Sequence, residues 1–127
     1  MGESSLRTPK RLPKSERLHQ VLRWLISEFE VKARLRVEKL PKGNEGCLGV
    51  VEFGGKLPPL IRISKNMSRS ESLSVLFHEY AHCLSHKKHG PHWHREYQGH
   101  DKDFAILYNK IETSFLYEDG AKKSLEY

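Results

Sequence analysis

Residues 78–82 read His78-Glu79-Tyr80-Ala81-His82, two imidazoles and a carboxylate in the pattern H-E-x-x-H. On a helix, residues four apart leave the same face one turn above the other, so both imidazoles can reach a single zinc ion. The glutamate is rotated around the helix, where it can take a proton from a water at the ion without ligating the ion itself. The chemistry that this spacing supports is metal-assisted hydrolysis with Glu79 as general base. So short a string also arises by chance, and its weight depends on the elements around it.

Those elements favour a helix. Leu73, Leu76, Phe77, Tyr80 and Leu84 recur at i, i+3, i+4, one buried stripe at helical period. His78 and His82 fall on the other side, beside Val75, so the core stripe does not account for them. Ser68-Arg69-Ser70-Glu71 fits a capping box that starts the helix, and Gly90-Pro91 stops it.

A catalytic zinc takes three protein ligands and keeps one position open for water. His86 continues the histidine row but lies about 12 Å of helix rise beyond His78, outside the reach of an ion held by the first two. The longer pattern H-E-x-x-H-x-x-G-x-x-H would need glycine at Ser85 and histidine at Lys88, and is excluded. Glu96 and Glu112 have no supporting context. His100 closes the histidine-dense stretch and opens the last helical pattern, with Phe104 one turn on to bury beneath it. His100 is therefore the favoured third ligand, with His92 and His94 as alternatives. Tyr97, His92 and His94 are candidates to hydrogen-bond the oxyanion or to buttress the ligands.

The chain of 127 residues is long enough for one domain and one modest core. Lysine and arginine number 22 against 16 acidic residues, a net charge of +6 that favours polyanionic surroundings only weakly. The first residues have no apolar signal-type run, and no stretch is long enough to span a bilayer, so an intracellular location, cytoplasmic or nucleoid- or nucleus-associated, is expected. Cys47 and Cys83 form neither a C-x-x-C pair nor a disulfide framework, which suits a reducing interior.

Residues 1–13 read as a flexible basic arm carrying Arg7, Lys10 and Arg11. From Ser15 to near Glu30, Leu18, Val21, Leu22, Leu25, Ile26 and Phe29 mark an amphipathic packing helix. The period then switches to two over 31–38, where Lys32, Arg34 and Arg36 face outward, a stripe for nucleic-acid phosphates or simply a solvated strand face. Further strands are expected at 47–53 and 60–64. The latter, entered through Pro58-Pro59, is expected at a sheet edge where it could pair with an extended peptide. A last helix runs from Asp101 with Phe104, Leu107, Tyr108, Ile111 and Phe115 on one face. The expected architecture is a single α+β domain over 14–118, its helices against one face of a three-stranded antiparallel sheet, followed by a frayed tail at 119–127.

Ile61-Arg62-Ile63-Ser64 leading through Ser68 and Glu71 into the H-E-x-x-H helix, then Gly99-His100-Asp101-Lys102-Asp103-Phe104, resembles the SprT-like metalloprotease domain over about residues 15–116. The resemblance implies a minimal zincin fold, zinc held by His78, His82 and His100, and peptide-bond hydrolysis. Characterised members such as Spartan cleave proteins crosslinked to DNA, which implies a role in DNA repair. Asp101 stands where that family usually has glycine, and the cysteine zinc ribbon of many relatives is missing. Three other identities fit parts of the pattern. His86 after the motif resembles regulatory peptidases of the ImmA/IrrE kind. An antirestriction protein of the ArdC kind would pair such a motif with DNA binding. A non-enzymatic module with a structural zinc site would have no use for Glu79.

Overall fold

Helix α1 (Lys14–Phe29) forms where the apolar spacing calls for it and buries Leu18, Val21, Leu22 and Leu25. It ends at Glu30, which takes the left-handed conformation at φ 60° and donates its N–H to the Ile26 carbonyl at 2.8 Å. The structure, a computed structural model, describes residues 13–40, 48–89 and 102–117. Three strands follow α1, β1 (Arg34–Glu38), β2 (Gly49–Glu52) and β3 (Leu60–Ser64), and then two helices, α2 (Arg69–His89) and α3 (Lys102–Tyr117).

The α+β class holds, but the sheet is mixed rather than an antiparallel meander. Its order is β1-β3-β2, with β1 parallel to β3 and β2 antiparallel to β3. Strand β3 is therefore central, not an edge, and among the described residues the outer strands are β1 and β2. Pro58 and Pro59 do not oppose this because they precede the first ladder residue. The Pro59 carbonyl even accepts the Arg34 N–H at 2.8 Å. The alternation in the sequence identifies each strand and its buried face, whereas the choice of neighbour depends on connections that are too long to dictate a hairpin.

Leu35, Ile61 and Ile63 point from the inner face into one core with Leu76, Phe77 and Tyr80 of α2 and Ile111 and Phe115 of α3. On the outer face, Arg62 of the central strand reaches both neighbours, Nε to Glu38 at 2.6 Å and a guanidinium N–H to Glu52 at 2.9 Å. These pairs join diagonal positions of adjacent strands, since Arg62 itself lies opposite Arg36 and Val50.

The capping box forms at the start of α2. The Ser68 N–H donates to a Glu71 carboxylate oxygen at 3.2 Å, and the Glu71 N–H donates to the Ser68 hydroxyl at 3.2 Å. At the middle of that helix, Tyr80 is fully buried. Its phenol donates to the Val31 carbonyl at 2.7 Å and lies 3.3 Å from that of Leu25. Among the described residues no helix is long and apolar enough to cross a membrane.

Because the Tyr80 hydroxyl is the buried partner of a backbone carbonyl, Tyr80→Phe should destabilise the metal-free protein by about 1–2 kcal/mol. Urea denaturation checks this, as a lowered midpoint at unchanged slope.

Candidate metal centre

With α2 started by its cap and turned by Tyr80, the motif side chains point into the space between β2 and α3. His78 and His82 stand with ring centroids 4.9 Å apart. Phe104 from the first turns of α3 lies against both, at 5.0 Å from His78 and 4.6 Å from His82, and is itself buried. The histidines stay off the core stripe as the sequence pattern requires. His82 is nonetheless buried, because α3 covers that face of α2.

Glu79 is only 7% exposed, and desolvation raises its carboxyl from the ordinary 4.5 to about 7. The surface above it belongs to β2. A Cβ at Gly49 would come within 2.5 Å of Val75 Cγ1, 3.2 Å of the Arg62 carbonyl oxygen and 3.5 Å of Glu79 Cγ. Only the missing side chain lets the strand lie this close to the motif helix. A glycine inside a strand pattern signals close backbone approach, so this residue was legible in the sequence but went unused. An open cleft of about 400 Å3 remains beside the pair, lined by Leu48 and Gly49 at the start of β2, Ser74, Val75, His78 and Glu79 of α2, and Tyr108 of α3. Tyr108 and Ser74 were also missed; Tyr108 fits the apolar face of α3 and carries no motif signal.

His86 is turned elsewhere. Its ring stacks on Phe53 at 4.0 Å and 10°, in a second cleft of about 590 Å3 that also holds Lys32, Lys56 and Lys87. Cys83 lines the same cleft, is fully buried, and has its thiol pushed up to about 12, so it stays protonated. The cationic strand face is divided. Lys32 belongs to this second cleft, Arg34 Nε donates to the Pro58 carbonyl at 3.0 Å, and Arg36 is exposed opposite the ion-paired Arg62.

His100, His92, His94 and Tyr97 lie outside the described residues, as do Arg7, Lys10, Arg11 and Cys47. Among the described residues, no group of three His, Cys, Asp or Glu side chains converges. The donors that are described fit the helix-borne part of a zinc site, namely two imidazoles one turn apart and a desolvated carboxylate beside them. Comparison of the chain with known protein families, curated protein sequences and solved structures found no match in any of the three.

Two outcomes follow from this packing. A folded-state carboxyl near 7 against 4.5 in the unfolded chain means that the folded form holds the extra proton between those values. Stability from this group is complete below pH 4.5 and is lost as the pH rises through 7. Metal-free Glu79→Gln should therefore match wild type near the lower pH and exceed it by about 3 kcal/mol above the upper one, measured by urea denaturation across pH. Gly49→Ala should cost about 1–3 kcal/mol by overpacking, and adding Val75→Ala should recover part of it, a coupling that thermal unfolding of the four proteins in the cycle would read.

Proposed function

We propose that this chain is a zinc-dependent metallopeptidase of the SprT-like kind, with His78, His82 and His100 holding the ion and Glu79 as general base. The observation that carries the proposal is the burial of an ionisable carboxylate in the lining of an open cleft, next to two imidazoles one helical turn apart. Burying an acid there costs stability, and a purely structural zinc site gains nothing from it.

Bound between these imidazoles, zinc would polarise a scissile carbonyl and acidify a water toward neutrality. Glu79 accepts the proton of the attacking water and passes it to the leaving amine. A carboxyl with a pKa near neutrality suits both halves of that transfer. Phe104 keeps the two imidazoles from turning away. Support for His100 as the third ligand comes from the start of α3 at Lys102, since Phe104, four residues past His100, already touches both rings.

Among the described residues the outer strand next to the cleft is β2, with Leu48 and Gly49 in the cleft lining, so an extended substrate peptide would pair there rather than on β3. The substrate class that accompanies the SprT-like assignment is protein associated with or crosslinked to DNA. Arg7, Lys10, Arg11, Lys32 and Arg36 are the cations available for a nucleic acid, while Arg34 is partly committed to Pro58.

Purified protein should carry one zinc per chain, dependent on His78 and His82. Glu79→Gln should keep the metal and lose cleavage of casein and of DNA-bound protein, and unchanged proteolysis in that variant would dismiss Glu79 as the base. His100→Ala should deplete zinc far more than His86→Ala by metal analysis, and the reverse order would move the third ligand.

A further inference from the structure

We infer that Tyr108 is a catalytic residue of this cleft, its phenol donating a hydrogen bond to the scissile carbonyl oxygen as negative charge develops there. The assignment rests on the metallopeptidase proposal above. It starts from an inventory of the cleft. Leu48, Gly49 and Val75 offer no side-chain donor, Glu79 is committed as the base and His78 as a ligand, so the hydroxyls of Ser74 and Tyr108 are the donors that remain in the described lining. A tetrahedral centre would need a donor other than the base, and Tyr108 is the lining residue that α3 supplies.

The ring is held in place. Its centroid lies 6.3 Å from that of His78 at 67°, and 6.4 Å from that of Phe104 at 30°. Ser74, one turn before His78 on α2, and Glu112, one turn on along α3, stand beside the hydroxyl, and burial together with the Glu112 carboxylate holds the phenol above its ordinary pKa. The phenol O–H donates to the carbonyl oxygen that is gaining charge, with the ring held by His78 and Phe104. No proton leaves the phenol in this step. The hydrogen bond strengthens as the carbonyl double bond opens and weakens again when it re-forms, so it favours the transition state over bound substrate.

Tyr108→Phe removes the hydroxyl and keeps the ring against His78 and Phe104. In steady-state cleavage of a fluorogenic peptide taken from a casein cleavage site, kcat should fall about 100-fold with KM within about threefold. Zinc content and the unfolding temperature of the zinc-free protein should stay at their wild-type values. Binding of a phosphinic peptide, which carries the tetrahedral oxygens, should weaken by a similar factor, while binding of the cleaved product peptide should not. Ser74→Ala should lower kcat in the same direction by a smaller factor. A Tyr108→Phe enzyme with unchanged kcat, with its loss confined to KM, or with lost zinc or stability would overturn the assignment and leave the peptidase proposal standing. Zinc-loaded wild type that cleaves no peptide would sink both.

Discussion

The geometry of the cleft depends on one hydrogen bond, from the Tyr80 phenol to the Val31 carbonyl. Tyr80 occupies a variable position of the H-E-x-x-H string, yet it is the residue that sets the azimuth of α2. Neighbouring residues on a helix are about 100° apart, so anchoring residue 80 against the end of α1 and the entry to β1 fixes where residues 78, 79 and 82 must point. Its ring also packs at 6.3 Å from Phe29, so the anchor is apolar as well as polar. The capping box at Ser68 and Glu71 fixes where the helix begins; Tyr80 fixes how it is rotated.

That rotation puts an acid where water is scarce. The Glu79 carboxyl is squeezed between its own helix and a strand that approaches through the side-chain-free Gly49. A glutamine there would cost the fold less, which places the residue among those whose presence works against stability. Two features of the same region hold neighbouring groups fast. Phe104 covers both imidazoles, and the Tyr108 ring stands beside His78 and Phe104. A cation between the imidazoles would favour the ionised acid and offset part of the cost of its burial.

Much of this arrangement is visible in the sequence, for identifiable reasons. Periodicity marked all three helices, and the Ser68/Glu71 spacing located a helix start to the residue, because capping is chemistry between neighbours in the chain. The histidine pair was legible for the same reason. What the sequence withheld is non-local. Alternation in 34–38, 49–52 and 60–64 marks strands but not their order, so the central position of β3 could not be read. Tyr108 looks like any other apolar-face residue of an amphipathic helix until α3 is laid against α2. The burial of His82 likewise depends on a helix that begins twenty residues later. Gly49 differs from these, since a glycine amid strand-forming residues carried a signal that could have been used.

The order β1-β3-β2 has a consequence for how the chain must come together. During synthesis β1 emerges first and β2 second, but neither is the other's neighbour, and both wait for the strand made last of the three. Two unpaired backbones are thus presented until Leu60–Ser64 fills the gap, and both ladders then close around a single insertion. Four residues separate the end of that strand from the motif helix, so the segment that completes the sheet also leads into the histidines. A nascent chain stopped short of residue 60 lacks the strand on which both described ladders depend. The chemistry-bearing helix thus follows directly on the one strand that both ladders share.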